Sequence, residues 1–156
     1  VIIRVAAMGV SQKKKAMIAF ALACNTRYLF LDEPTNGLDI PSKAAFRSML
    51  AASFTEDRTI ILSTHMVRDL ESLIDSVIIL GNRRIILNQT LEQVARKLSF
   101  DHSSPASGEM IYTAKSELGP VMVSLNPSVI AGNVDLEALF NACIHIPDKI
   151  TSVFEQ

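Results

Sequence analysis

The sequence carries almost no excess of charge. Fifteen Lys and Arg stand against sixteen Asp and Glu in 156 residues, a formal net charge of −1. That balance gives no global electrostatic case for nucleic acid or for a membrane surface, and no nucleic-acid partner is expected. Cysteine is scarce: Cys24 and Cys143 lie far apart, each inside an apolar run. They match no metal spacing and no disulfide framework, so both are expected as reduced core residues of a cytosolic protein. No apolar run approaches the ~18 residues of a membrane span; the longest compact one, Ala16 to Cys24, is about half that and reads as a buried helix. The opening Val1-Ile2-Ile3 has no charged leader and no small-residue cleavage pattern, so no signal peptide is expected. A first residue other than Met makes a truncated sequence the expectation.

What is present is ordinary for a globular chain: 49% apolar and 20% charged residues, in a length sufficient for one domain with a core. Residues from Gln12 to Cys24 favour helix, apolar on nearly all sides after Ala16, which predicts burial. Arg27 to Leu31 and Thr59 to Ser63 are continuous apolar runs, the pattern of strands covered on both faces in a parallel sheet. Between them, Asn36-Gly37 marks a turn and Pro41 opens a helix to about Phe54. Met66, Val67, Leu70, Leu73 and Ile74 predict a further helix. Ser76 to Leu80 and Arg84 to Leu87 read as a hairpin turning at Gly81-Asn82. Thr90 with Gln93 is a capping-box pattern opening a short helix through Leu98. Strands alternating with helices argue for an α/β fold with a largely parallel sheet.

The composition changes at Ser99. Asp101 to Gly108 is a polar linker. Beyond it, Met110 to Ala114 and Val121 to Leu125 are expected to pair around Gly119-Pro120. Asp135 then caps a helix striped by Leu136, Leu139, Phe140, Cys143 and Ile144. The expected organisation is one domain over 1–100 and a small α+β C-terminal appendage over 101–156.

Three stretches carry chemistry. In Leu31-Asp32-Glu33-Pro34-Thr35-Asn36-Gly37-Leu38-Asp39, two adjacent carboxylates follow a buried strand, where ligands of open α/β sheets bind. One could hold a hard cation and the other position or deprotonate a water. A bare Asp-Glu pair is equally a solvated turn, and on residue types alone both readings stay open. His65 ends the next strand in Ser63-Thr64-His65; it could donate to a developing phosphate charge or simply start a helix. The run Met8-Gly9-Val10-Ser11-Gln12 leads into Lys13-Lys14-Lys15 and a helix; small residues and a helix N-terminus suit phosphate, and a solvated helix start is the alternative.

Together these resemble the second half of an ABC-type ATPase domain, over about Met8 to Leu98. The nine-residue string resembles the family's Walker B motif and D-loop, and His65 stands where the family places its switch histidine. The resemblance implies that Asp32 holds Mg²⁺ through water, that Glu33 is the general base, and that His65 contacts the γ-phosphate. It implies that Asn36 to Asp39 touch a partner domain, and that Gly9, Ser11 and Gln12 form the signature region that grips ATP in trans. The signature departs from the family's Leu-Ser-Gly-Gly-Gln: Gly9 replaces Ser, and Val10 and Ser11 each replace Gly. No G-x-x-x-x-G-K-[ST] phosphate loop occurs in the 156 residues. The implied fold is a partial P-loop NTPase sheet flanked by helices.

The implied function is an ATP-hydrolysing subunit of an ABC transporter, a dimer with a second ATPase domain. It would be cytoplasmic and peripheral to the membrane through separate membrane-spanning subunits, with ATP and Mg²⁺ as cofactors. The alternatives are a soluble ABC-type ATPase outside transport and a non-enzymatic remnant that keeps the fold without turnover. The chain alone is expected to be inactive.

Overall fold

The computed structural model describes residues 9–102, 108–116, 119–128 and 131–155. They form a mixed α/β structure with five helices and three small sheets, divided into two compact units, Val1–Leu73 and Ile74–Gln156. The division falls at residue 73, so the stretch 74–100 belongs to the second unit.

In the first unit, helix α1 (Val10–Ala23) leads to strand β1 (Tyr28–Asp32), helix α2 (Ile40–Ala52) and strand β2 (Thr59–Ser63). β1 and β2 pair in parallel with Asp32 opposite Ser63, so both acidic and hydroxyl ends emerge at one edge. Asp39 caps α2, accepting from the Ser42 backbone N–H at 2.9 Å, and Pro41 sits in the first turn where its missing N–H costs nothing. The core gathers Ile18 and Leu22 of α1, Phe46 and Leu50 of α2, Leu29 of β1, Leu38 and Leu70. Burying side chains the size of Phe46 and Leu50 contributes about 1.5–3 kcal/mol each.

Four expectations are corrected here. Strands β1 and β2 are covered on one face only. Leu29, Leu31, Ile60 and Leu62 pack into the core, whereas Tyr28, Phe30 and Ile61 on the other face are 58%, 69% and 43% exposed. Both helices of the unit contribute to the cluster under the first face, and among the described residues none covers the second. For the same reason α1 is not buried all round: Ile18 and Leu22 are inside, and Met17 and Phe20 face solvent. Cys24 is exposed at the end of α1 rather than in the core. The helix predicted over 66–74 is only a 3₁₀ turn, Val67–Asp69. Leu70 reaches the core from the turn that follows.

In the second unit, strands β3 (Ser76–Gly81) and β4 (Arg84–Thr90) form the expected antiparallel hairpin. Its two-residue turn is Asn82-Arg83, with φ of 51° and 63°, in place of Gly81-Asn82. Two left-handed residues give the twist that hairpins favour, and Asn tolerates that conformation well. The capping box is present: the Thr90 hydroxyl accepts from Gln93 N–H at 3.1 Å and the Gln93 side chain accepts from Thr90 N–H at 2.9 Å. It opens helix α3 (Leu91–Lys97).

Strand β5 (Leu98–Asp101) follows at once, running from the expected helix end at Leu98 to the first residue of the expected linker, Asp101. Residues 103–107 of that linker lie outside the described residues. β6 (Met110–Ser116) and β7 (Gly119–Leu125) pair as expected, although Gly119 and Pro120 open β7 instead of forming the turn. The central β7 joins β5 and β6 in one antiparallel sheet, so parallel pairing is confined to β1–β2 among the described strands. Asp135 caps helix α4 (Leu136–His145), accepting from Ala138 N–H at 2.8 Å. Leu136, Leu139 and Cys143 are buried, but Phe140 and Ile144 of the predicted stripe stay largely exposed. Helix α5 (Pro147–Phe154) closes the unit on Ile150. Burial pushes the Cys143 thiol up to about 12, so it remains an inert, protonated core group. No described helix is long and apolar enough to cross a membrane.

Candidate functional site at the ends of two parallel strands

The parallel register of β1 and β2 brings the two chemistry-bearing stretches to one edge of the first unit. Asp32 is the last residue of β1 and Ser63 the last of β2; the Ser63 hydroxyl donates to Asp32 Oδ1. Glu33 follows in a left-handed backbone conformation, φ +43°, uncommon for a residue with a side chain. Its N–H still donates to Ser63 C=O at 2.8 Å, which extends the strand ladder by one bond. The change of φ turns the Glu33 carboxylate across to the end of β2.

There it meets His65. Glu33 Oε1 lies 2.7 Å from His65 Nδ1 and accepts from the His65 backbone N–H at 3.2 Å. Glu33 Oε2 accepts from the Thr64 hydroxyl at 3.3 Å. Hydrogen bonding to the His65 ring is the main influence that lowers the Glu33 carboxyl below its ordinary value, with the His65 and Thr64 contacts adding to it against partial desolvation. Three donors on one carboxylate favour the ionised form. Against an ionised Glu33, the imidazole carries its proton on Nδ1, which leaves Nε2 as the ring's other polar atom.

The structure therefore brings Asp32, Glu33 and His65 together. Asp32 is exposed. Among the described residues no three His, Cys, Asp or Glu side chains gather to hold a metal by themselves. A single carboxylate at a strand end still suits Mg²⁺, which keeps several waters and takes one or two carboxylates alongside substrate phosphates.

The expected signature residues sit at the start of α1; Met8 lies outside the described residues. Gln12 is turned back on its own helix, where its side-chain oxygen accepts from Gly9 N–H at 3.2 Å. The Ser11 hydroxyl is buried without a hydrogen-bond partner. Asp39 is engaged as the α2 cap: the Ser42 hydroxyl and N–H both donate to Oδ1, and the Lys15 ammonium lies 3.9 Å away. The Ser42 hydroxyl is the first cause holding the Asp39 carboxyl below its ordinary value. Between Glu33 and Asp39 the turn is anchored by Pro34 and Thr35, both fully buried, and by Leu38, while Gly37 supplies a φ of +73°.

Sequence reasoning missed Lys14 at this site. It read as one of three lysines on a helix start, yet its ammonium donates to Glu33 C=O at 2.5 Å and to Asn36 C=O at 2.7 Å. No local pattern distinguishes it from Lys13 or Lys15, because its partners lie 19 and 22 residues away. Thr64 was likewise visible only as a neighbour of His65.

No family model matches the chain. Curated relatives do. The ABC transporter ATP-binding protein NatA of Bacillus subtilis is 31% identical over 115 residues, covering 74% of this chain and 44% of the relative. Nod factor export ATP-binding protein I of Neorhizobium galegae is 33% identical over 84 residues, 54% of this chain and 24% of the relative. The manganese transport system ATP-binding protein MntA of Synechocystis is 34% identical over 86 residues, 55% of this chain and 33% of the relative. The chain spans less than half the length of each of these relatives. Across half to three quarters of its length, its homologues are thus ABC transporter ATP-binding proteins.

Proposed function

We propose that this chain, homologous to ABC transporter ATP-binding proteins, is the second half of an ATP-hydrolysing domain whose base is Glu33. The observation that carries the reading is the Glu33–His65 pair at the carboxyl ends of two parallel strands, 2.7 Å apart and beside Asp32. In this reading residues 1–100 are part of a P-loop NTPase sheet and 101–156 an appended α+β piece.

Hydrolysis of ATP needs a water held in line with the γ-phosphorus; its oxygen–phosphorus bond forms as the bond to ADP breaks. Glu33, kept ionised by its donors, accepts a hydrogen bond from that water and takes up its proton. His65 holds the Glu33 carboxylate in place through Nδ1–H; donation from Nε2 to the charge that develops on the γ-phosphate would require a proton on that nitrogen as well. Asp32 would hold Mg²⁺, which neutralises phosphate charge when bound with the nucleotide. Gly9, Ser11 and Gln12 would serve a nucleotide bound by a second ATPase domain, with the segment Asn36 to Asp39 at the dimer contact. Membrane-spanning subunits are the proposed partners, placing the domain at the cytoplasmic surface of a membrane.

The sequence contains no G-x-x-x-x-G-K-[ST] loop, and that favours a second reading for these 156 residues by themselves: a piece that keeps the fold without turnover. The test is Mg·ATP hydrolysis with and without a phosphate loop ahead of this sequence, taken from its own upstream coding sequence or from a relative. Turnover is expected only in the longer chain, and to fall by roughly 10²–10⁴-fold in Glu33→Gln. Hydrolysis by the 156-residue chain, or undiminished hydrolysis by the longer Glu33→Gln chain, would overturn the proposal.

A further inference from the structure

We infer that Lys14 is a positioning residue, a clamp that fixes the backbone at Glu33 and so aims its carboxylate at His65. The inference rests on the proposed role of Glu33 for its functional meaning, but not for its geometry. Glu33 has φ +43°, a conformation that is strained for a residue with a Cβ and persists where surrounding contacts impose it. The contacts that impose it are specific. On the amino side, Glu33 N–H is held by Ser63 C=O at 2.8 Å. On the carbonyl side, the Glu33 C=O accepts from the Asn36 N–H at 3.3 Å. The Lys14 ammonium supplies the closer donor at 2.5 Å, and spans to Asn36 C=O at 2.7 Å.

Bridging two carbonyls three residues apart closes the turn from outside its own hydrogen bond. A charged donor makes roughly twice the bond a neutral one does. The turn cannot relax toward an extended Glu33 without breaking both contacts, and an extended Glu33 would carry its carboxylate away from Nδ1 of His65. Lys14 also belongs to α1, in the turn that follows Ser11 and Gln12. A displacement of α1 at its N-terminus therefore pulls directly on the carbonyl of the candidate base. Lys15, the next residue, is spent on Asp39 instead.

The test reads the Glu33 backbone and side chain separately in the 156-residue chain by NMR. Backbone scalar couplings and the Cα shift report the sign of φ at Glu33, and nuclear Overhauser effects between the Glu33 side chain and the His65 ring report their contact. In Lys14→Met the couplings are expected to leave the left-handed pattern and the contact to weaken. Lys14→Arg, which keeps a charged multiple donor, is expected to retain both. A left-handed Glu33 in Lys14→Met would overturn the inference. If Lys14→Met does not fold, Lys14→Gln, with a single neutral side-chain amide, is read in the same way. The outcome is independent of hydrolysis: Glu33→Gln turnover tests the proposed base, and Lys14 variants test what holds it.

Discussion

His65 Nδ1 and Glu33 Oε1 stand 2.7 Å apart although 32 residues separate them, because parallel pairing of β1 with β2 ends both strands at the same level. The carboxylate so held is favoured in its ionised form and oriented toward the ring. That arrangement predicts different losses from the two partners. In a chain bearing a phosphate loop, Glu33→Gln should lower turnover by roughly 10²–10⁴-fold while sparing ATP binding, since the amide keeps the shape and loses the basicity. His65→Ala should cost roughly 10²–10³-fold, the loss typical of one electrostatic donor. Steady-state turnover alongside nucleotide binding distinguishes them; equal loss of binding in both would mean the pair is structural.

Much of this site was legible in the sequence, and the reasons are local. Asp32 and Glu33 follow a short continuous apolar run that reads as a buried strand, and His65 follows another. The N-caps at Thr90 and Asp135 are written in single side chains. What could not be read were facts about partners distant in sequence. The two-faced covering of β1 and β2 was inferred from continuous apolar residues, but Phe30 and Ile61 show that an apolar residue says nothing about whether this chain covers it. The predicted helix over 66–74 had helical periodicity, and the chain forms only the 3₁₀ turn Val67–Asp69 there. Lys14 looked like its neighbours until the fold brought two carbonyls to it.

Acid should weaken the first unit through two named carboxyls. Glu33 and Asp39 are both held below their ordinary values of 4.5 and 3.8, the first mainly by the His65 hydrogen bond and the second mainly by the Ser42 hydroxyl. A carboxyl lowered in the folded state contributes stability that is complete above its unfolded value and lost as pH falls through the folded one. Thermal midpoints followed from neutral pH down through the carboxylate range should therefore fall, and fall less steeply in Glu33→Gln. Identical acid slopes in the two proteins would show that the His65 contact does not favour the ionised form.

The Asp39 cap gives a cleaner separation of roles. Asp39→Ala removes the acceptor for Ser42 N–H and should cost about 0.5–2 kcal/mol in denaturant unfolding. Asp39→Asn keeps an oxygen that can cap and gives up the charge that Ser42 and Lys15 favour, so it should cost less than Asp39→Ala. If the two variants were equally destabilised, charge rather than capping would be what Asp39 supplies to the fold.

The exposed face of β1 and β2 makes the opposite prediction to the core behind it. Leu50 is fully buried, and Leu50→Ala should cost about 2–5 kcal/mol through lost transfer energy and the cavity left behind. Phe30 and Ile61 are directly opposed in the strand register, and both side chains face away from that core. An uncovered apolar strand face invites self-association. Phe30→Ser combined with Ile61→Thr should thus raise the concentration at which the 156-residue chain stays dispersed, by light scattering, without lowering its thermal midpoint. Thr keeps the branched side chain that strands accommodate, and neither position contributes to the cluster around Phe46 and Leu50. A double variant that melts earlier than the unsubstituted chain would mean that this face is already covered in solution.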